Sequence, residues 1–208
     1  PTNCTRVGGY DTAGYAQGVR QSGSYAYVAD GSKGLEVIDV SDPTNCTRVG
    51  GYDTAGYAQG AYKGGNYAYV ADGTNGLEVV DVADPTNCLR VGGYDTAGYA
   101  RGVHQSGSYT YVADGSNGLE VIDVSDPTNC TRVGGYAAGG DIRGVHVTNA
   151  HAYVADGSNG LEVIDVSDPT NCIRVGGGYA VGAEKCGVAG RYAGVAGLWG
   201  VDVFDVDD

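Results

Sequence analysis

The sequence contains no methionine, one tryptophan, one phenylalanine and only five prolines among 208 residues. Basic residues are also scarce, since 12 lysines and arginines stand against 25 acidic residues and give a formal net charge of −13. Binding to a nucleic-acid backbone needs clustered Lys and Arg, so this balance argues against that function. No run approaches the roughly 20 apolar residues of a membrane-spanning helix, and no basic-then-apolar start indicates a signal peptide. A start at Pro1 without methionine fits a processed, mature chain, and a trimmed sequence is the alternative.

Glycine is the abundant residue, with 38 copies, but it follows no three-residue period, and this excludes collagen. A hydrophobic content of 42% is too high for a disordered chain. The length is sufficient for one domain with a sizeable core.

A unit of 42 residues recurs along the whole chain. The segment PTNC begins at Pro1, Pro43, Pro85, Pro127 and Pro169. Residues 1–42 and 85–126 differ at only five positions. We therefore predict a single domain, 1–208, of five repeats: 1–42, 43–84, 85–126, 127–168 and 169–208, the last of which is two residues short.

Each unit reads as four short strands. In the first, these are 15–21, Tyr25–Ala29, Leu35–Val40 and Cys46–Tyr52, rich in the Tyr and Val that favour strands. Asp30 to Gly34 is a tight-turn sequence between the second and third strands. Nothing has helical periodicity, so we predict an all-β chain, and four strands in about 40 residues are typical of a β-propeller blade.

The order of the strands at the two ends predicts how the ring closes. Cys4–Tyr10 reads as a fourth strand, whereas Val201–Val206 reads as a third strand. The strand count balances only if the N-terminal strand completes the last blade, which also removes an open sheet edge. We predict a five-bladed β-propeller of four-stranded antiparallel blades closed in this way. The alternative is an open solenoid of hairpins, in which Cys4–Tyr10 has no partner.

The segment YVADGSxGLEVIDVSDPTN, at 27–45, 111–129 and 153–171, resembles the LVIVD repeat of bacterial and archaeal surface-associated proteins. Its core is Leu35–Asp39, with counterparts starting at Leu77, Leu119 and Leu161 and a divergent version at 201–205. The resemblance implies a β-propeller in an extracellular or cell-surface setting, and it implies no catalytic residues. One departure is that family members usually read PTNP where this chain has PTNC.

Five of the six cysteines occupy the same place in successive repeats: Cys4, Cys46, Cys88, Cys130 and Cys172. On the outermost strands of a five-bladed ring they lie about 20 Å apart, too far for disulfides with one another. Two interpretations stay open: small thiols packed where proline usually stands, or intermolecular disulfides that join molecules through the rim. Metal or cofactor attachment is disfavoured, because no C-x-x-C motif is present. Cys186 lies near the innermost strand of the last blade.

Acidic residues recur in every unit, but this repetition favours structural roles. Arg6 and its equivalents at Arg48, Arg90, Arg132 and Arg174 lie on the strand beside the Glu-bearing one, so we predict cross-strand ion pairs. Asp30, Asp72, Asp114 and Asp156 are read as turn residues; calcium binding is the minor alternative, and no cofactor is expected. A glycoside hydrolase needs an asymmetric carboxylate pair. Glu184 and Asp202 of the divergent repeat are the candidates.

Where near-identical repeats differ, the variable side chains fall on the predicted innermost strand. Arg20, Tyr62, His104 and His146 occupy one such position, and Gln17, Gln59, Arg101 and Arg143 another. Because these strands line the channel of a propeller, we place a candidate small-molecule site at Arg20, Tyr62, His104 and His146. Neutral variation at exposed positions is the alternative.

Asn3, Asn45 and Asn129 meet the N-x-[ST] pattern and are candidate N-glycosylation sites on the rim. We predict a non-catalytic extracellular structural or interaction module that self-assembles through its outer rim. Its expected partners are itself, other surface proteins or glycans, with neither nucleic acid nor membrane insertion. The alternative is a carbohydrate-binding, lectin-like propeller that uses Tyr10, Tyr25 and Tyr27, and a glycoside hydrolase is a weaker one.

Overall fold

The computed structural model describes residues 3–206, so Pro1, Thr2, Asp207 and Asp208 of the predicted domain lie outside the described residues. The described chain consists of β-strands and their connections, grouped in five antiparallel sheets. The strands are β1 (Gly18–Ser22), β2 (Tyr25–Ala29), β3 (Leu35–Asp39), β4 (Thr47–Tyr52), β5 (Gly60–Gly64), β6 (Tyr67–Ala71), β7 (Leu77–Asp81), β8 (Leu89–Tyr94), β9 (Gly102–Ser106), β10 (Tyr109–Ala113), β11 (Leu119–Asp123), β12 (Thr131–Tyr136), β13 (Gly144–Thr148), β14 (His151–Asp156), β15 (Gly160–Asp165), β16 (Ile173–Gly178), β17 (Lys185–Ala189), β18 (Tyr192–Gly197) and β19 (Gly200–Asp205).

Consecutive strands form the blades, and each sheet follows the chain order from its innermost to its outermost strand. Blades 1 to 4 are β1–β4, β5–β8, β9–β12 and β13–β16, and blade 5 is β17–β19. The second and third strands of blade 1 are joined by the predicted tight turn, in which Gly31 and Gly34 have φ values of +58° and +72°. The prediction of an all-β, five-bladed β-propeller is confirmed. Each of the first four blades takes its fourth strand from the repeat that follows.

The last blade differs from the prediction, because it has three strands and not four. Residues 4–10, expected to complete it, form no strand. The segment lies instead against blade 1, where a Cβ on Gly8 would stand 1.9 Å from the carbonyl oxygen of Pro43. Gly50 of β4 has the same relation to Pro85 in blade 2, at 2.0 Å. The segment therefore keeps a fourth strand's position toward the next blade without pairing with β19, and closure by the N-terminal strand is corrected.

The hydrophobic core lies between the blades. One cluster joins Tyr27, Leu35 and Val37 of blade 1 to Val70 and Val80 of blade 2, and similar clusters join the later blades. The alternating pattern of each strand sends one set of side chains toward the preceding blade and the other toward the following one. Blades 2, 3 and 4 are consequently each stabilised by two neighbours.

Backbone bridges tie each of the first four blades to the next one. Gly31 pairs with Ala58, and the equivalent pairs are Gly73 with Ala100, Gly115 with Ile142 and Gly157 with Ala183. These four bridges are all that the described residues form at this position, so blade 5 has no such link to Ala16 of blade 1. Ala16 is exposed, whereas Ala58 is fully buried. In the described residues, no backbone bridge of this kind therefore joins blade 5 to blade 1.

No helix in residues 3–206 is long and apolar enough to cross a membrane.

Candidate functional site

The innermost strands of all five blades line a central channel with a volume of about 340 Å³. Glycine stands at the start of the first four of these strands, and a Cβ on Gly102 would lie 3.0 Å from the carbonyl oxygen of Arg143. Glycine is required here because the backbones of adjacent blades approach so closely. Lys185 occupies the equivalent position in blade 5.

The four residues predicted as a channel site are brought together into one column. The guanidinium carbon of Arg20 lies 4.6 Å from the ring centroid of Tyr62. The centroids of Tyr62 and His104 are 4.4 Å apart, and those of His104 and His146 are 4.7 Å apart with the rings nearly perpendicular. These distances fall within the range of cation–π and aromatic contacts. Each of blades 1 to 4 thus supplies one member of a continuous stack.

Burial makes the histidines of this column poor bases. Burial, with the nearby His146 and Arg20 as lesser causes, lowers the pKa of His104 to about 3. Burial also lowers the pKa of His146, with Arg20 as a second cause. Both imidazoles are therefore neutral at pH 7, and Arg20 is the positive end of the stack. Neutral imidazoles keep one donor and one acceptor nitrogen for a ligand.

The column ends at His146, because blade 5 has glycine where the other blades have side chains. Gly187 aligns with His146, and its strand partner Gly194 aligns with Tyr153. A Cβ on Gly187 would meet no atom within 4 Å. The channel therefore stays open on the side of blade 5.

A second charged cluster lies just before the innermost strands. Arg101 and Arg143 both contact Asp141, at 3.3 and 3.1 Å, and Arg143 also forms an ion pair with Glu184. Sequence reasoning missed Asp141. The signal for it was a single substitution, since the repeats before it carry tyrosine at this position, as at Tyr57 and Tyr99.

The candidate carboxylate pair of a hydrolase is not assembled. Glu184 precedes β17 and is paired with Arg143, whereas Asp202 lies on β19 with β18 between the two strands. Gln59 and Arg101, which stand at the position of Arg143 in blades 2 and 3, both contact Tyr99. Gln59 donates a 3.3 Å hydrogen bond to the hydroxyl of Tyr99, and the guanidinium of Arg101 lies 5.1 Å from the ring centroid of Tyr99.

The repeated glutamates form the predicted cross-strand ion pairs. Arg48 pairs with Glu36, Arg90 with Glu78, Arg132 with Glu120, and Arg174 with Glu162, the last at 3.1 Å. The glutamates are nearly buried, while the arginines remain about half exposed. For these pairs the prediction is confirmed.

The repeated turn aspartates are buried anchors. Asp72 accepts hydrogen bonds from the Thr54 hydroxyl at 2.6 Å, the Gly56 amide at 2.8 Å and the Asn75 amide at 3.2 Å. Asp30 and Asp114 are held in the same way. Both carboxylate oxygens of these three aspartates therefore accept protein donors, as expected of turn residues. In residues 3–206 no three acidic, His or Cys side chains gather in an arrangement that could hold a metal.

The six cysteines are free thiols with different surroundings. Cys4 is exposed, Cys46, Cys130 and Cys186 are partly buried, and Cys88 and Cys172 are buried. Cys88 packs in the core between blades 1 and 2, and burial raises its pKa. Burial likewise raises the pKa of Cys130 and Cys172, and that of Cys186 to about 12. Such thiols are weak nucleophiles at neutral pH.

The candidate glycosylation sites Asn3, Asn45 and Asn129 are all exposed. Asn45 and Asn129 lie in turns before an outermost strand, where the backbone N–H of Asn45 donates to the carbonyl of Asp42 at 3.0 Å. Of the tyrosines proposed for a lectin, Tyr10 is exposed, Tyr25 is half-buried and Tyr27 is buried.

Solved structures share this fold at low sequence identity. A functionally unknown protein from Desulfotomaculum acetoxidans DSM 771 matches with a TM-score of 0.74 and 16% identity over 88% of this chain and 62% of its own. The computationally designed Ika8 protein matches with a TM-score of 0.66 and 8% identity over 92% and 58%. The designed Ika4 protein matches with 0.57 and 9% over 74% and 93%. This chain thus spans about 60% of the first two structures.

Among curated proteins, no sequence matches this chain. The family model of the LVIVD repeat matches four times in tandem, at residues 13–54, 55–96, 97–138 and 139–180. These matches cover most of the chain, and each contains one complete four-stranded blade. The protein therefore belongs to the LVIVD repeat family.

Proposed function

We propose that the protein is a non-catalytic interaction module of the extracellular space or cell surface, which works without a cofactor and associates with itself or with other surface proteins. The observation that carries this proposal is that the repeated acidic side chains already have partners within their own blades. The repeated glutamates pair with arginine on the next strand, and the turn aspartates accept hydrogen bonds within their own blade. Catalytic carboxylates need unlike environments, whereas these have the same one in blade after blade.

The divergent blade is the one place where an asymmetric acid could serve catalysis. Glu184 there is neutralised by Arg143, and β18 separates its strand from that of Asp202. Glycosidases need two carboxyl groups that face one bond across about 5 to 10 Å. The arrangement therefore favours binding over hydrolysis.

A screen of chromogenic glycosides with the intact protein tests the absence of catalysis. We expect no turnover above the uncatalysed rate. Turnover that disappears in Glu184→Gln and survives in Glu120→Gln would overturn the proposal, because Glu120 belongs to a repeated structural pair.

An extracellular or cell-surface setting is supported by family membership and by the exposure of Asn3, Asn45 and Asn129. Surface biotinylation and fractionation of the native host cells test the location. Recovery of the protein only inside the cells would contradict it. Mass spectrometry of the native protein shows whether the three asparagines carry glycans.

Disulfide-linked association through the rim requires thiols that are exposed to solvent. Cys4 is exposed and Cys46 is partly exposed, whereas Cys88 and Cys172 are buried with raised pKa values. Electrophoresis without reductant is expected to show covalent oligomers that Cys4→Ser with Cys46→Ser abolishes and Cys88→Ser leaves. A monomeric band with and without reductant would reject disulfide-linked assembly.

Binding of a small ligand in the channel is a second candidate function, which the column Arg20, Tyr62, His104 and His146 favours. A lectin role has less support, because Tyr27 is buried and offers no face to a sugar. A glycan array probed with the wild-type protein and with His104→Ala separates the two functions. Signals that His104→Ala removes place a glycan in the channel, and signals that it leaves favour a lectin site elsewhere.

A further inference from the structure

The central channel is a largely apolar cavity that contains one ammonium group. It has a volume of about 340 Å³, and residues from all five blades line it. Among the described residues in this lining, Lys185 is the only charged one, and it stands where blades 1 to 4 have glycine. The rest of the lining consists of glycines, Ala61, three valines, Gln17 and Cys186. A cavity of this kind suits a small apolar molecule that carries one complementary polar group.

The ammonium of Lys185 has no counter-ion from the described part of the chain. None of the ion pairs within residues 3–206 includes it, and the neighbouring Glu184 is paired with Arg143. Desolvation by the surrounding protein lowers the pKa of Lys185, although the charge of Glu184 acts in the opposite direction. An anion that enters the cavity would supply the missing charge and favour the protonated ammonium.

Arg20 contributes a second positive charge at the channel. Its guanidinium stacks on Tyr62 and donates a 3.4 Å hydrogen bond to the hydroxyl of that residue, but it forms no ion pair with any residue from 3 to 206. Its charge also lowers the pKa values of His104 and His146, so both imidazoles lie within its field. The innermost strands therefore present unpaired positive charge in a chain whose net charge is −13, and they favour an anionic ligand.

Gly187 leaves one place of the aromatic column empty. It is the residue of blade 5 that aligns with His146, and a Cβ on it would meet no atom within 4 Å. The occupied places hold planar groups whose centres lie 4.4 to 4.7 Å apart. A planar ring supplied by a ligand would continue this series beside His146, at a distance that aromatic contacts favour.

The empty place and the ammonium lie on the same face of one strand. Gly187 follows Lys185 by two residues on β17, and alternate residues of a strand share a face. The two positions are separated by about 6.8 Å along the strand. A carboxylate attached directly to an aromatic ring spans about this distance when its oxygens contact the ammonium and its ring lies beside Gly187.

We propose that the channel binds a small aromatic carboxylate, with the carboxylate on Lys185 and the ring in the empty place of the column beside His146. The inference rests on the second candidate function, the binding of a small ligand in the channel, and it names the chemical class of that ligand. The ligand is bound and released unchanged.

Isothermal titration calorimetry of the intact protein with three related compounds tests the ligand class. Benzoate has both the charge and the planar ring, so we expect saturable binding at one site. Benzamide has the ring without the charge and should bind at least about tenfold more weakly, because the bond to the ammonium is no longer charge-assisted. Cyclohexanecarboxylate has the charge without the planar ring and should bind about threefold more weakly, because it loses the aromatic contact.

Two substitutions test the position of the site. Lys185→Gln removes the ammonium and should lower the affinity for benzoate by at least about tenfold, whereas Lys63→Gln, the same change outside the cavity, should leave it unchanged. Gly187→Leu fills the empty place and should also lower the affinity by at least about tenfold. Its control is Ala189→Leu, on the same face of β17 but two residues farther from Lys185. Thermal midpoints of the four variants show that each is folded before it is titrated.

The outcomes separate the ligand class from the channel function. Equal affinities for benzoate and benzamide, both lost in Gly187→Leu, would keep the channel as a ligand site and overturn the carboxylate. Benzoate binding that neither Lys185→Gln nor Gly187→Leu changes would place the site outside the channel and overturn the inference. Absence of binding by all three compounds would also overturn it. Glycan-array signals that His104→Ala removes would in that case leave the channel function standing with another ligand.

Discussion

The hydroxyl of Thr96 donates a 2.6 Å hydrogen bond to Oδ1 of Asp114, and this bond anchors the turn of blade 3 to the segment that enters the blade. Thr12 and Thr54 make the same bond in blades 1 and 2. Blade 4 lacks it, because Ala138 stands where the threonine would be. Oδ1 of Asp156 is consequently buried without a protein hydrogen-bond partner.

Ala138→Thr is expected to stabilise the protein, because it supplies the missing donor to Asp156. A net hydrogen bond to a charged acceptor contributes about 1.5 to 3 kcal/mol. The reverse change, Thr96→Ala, should destabilise by a similar amount because it leaves Asp114 without that donor. The measurement is the midpoint of urea unfolding for both variants beside the wild type.

Thr74→Ala is a matched control for this pair, since Thr74 is an exposed turn residue of blade 2. Its unfolding midpoint should stay close to that of the wild type. A loss in Thr96→Ala no larger than in Thr74→Ala would contradict the anchoring role of the hydroxyl.

Gly50, Gly92 and Gly134 on the outermost strands of blades 1 to 3 should tolerate no side chain. A Cβ on Gly92 would lie 2.0 Å from the carbonyl oxygen of Pro127. The backbone at both residues is packed between adjacent blades. Gly92→Ala is therefore expected to destabilise by more than about 2 kcal/mol, as overpacking against a rigid neighbour does. Gly187→Ala is the control, because its Cβ would meet no atom within 4 Å. Equal thermal midpoints for the two variants would contradict the close approach of the blades.

The 42-residue period and the strand pattern were enough to predict the blade and its ion pairs, because both depend on local alternation and on neighbouring strands. The same repetition placed Arg20, Tyr62 and the two histidines at equivalent positions, but their contacts depend on the angle between blades. The prediction that Cys4–Tyr10 form a strand on the last blade was wrong. A segment identical to β4 has the same local preference, yet a strand needs an edge to pair with, and no sequence pattern states where β19 lies.

The thiols should react in the order of their exposure. Cys4 is exposed, whereas Cys88 and Cys172 are buried and their pKa values are raised by burial. Iodoacetamide reacts with the thiolate, so both effects protect the buried pair. We expect Cys4 to be alkylated first and Cys88, Cys172 and Cys186 only on unfolding, as measured by peptide mass spectrometry.

Acid should destabilise the protein through the channel histidines before the carboxylates titrate. The pKa of His104 falls from an ordinary 6.5 to about 3 in the folded chain, chiefly because the ring is buried. Below pH 6.5 the unfolded chain therefore binds a proton that the folded chain refuses, and stability is lost as the pH falls from 6.5 toward 3. The slope contributed by this one group approaches about 1.4 kcal/mol per pH unit. His146 adds a loss of the same sign, because its pKa is also lowered.

Urea unfolding at pH 6 and pH 5 measures this slope, in a range where acidic side chains with ordinary pKa values remain largely ionised. His104→Gln is expected to reduce the loss of stability between the two pH values and to leave the part that belongs to His146. His151→Gln is the control, since this histidine begins β14 and lies outside the channel column. A slope unchanged in His104→Gln would mean that the ring takes up its proton in the folded protein as readily as in the unfolded chain, and the buried stack of Tyr62, His104 and His146 would then have to be open to water.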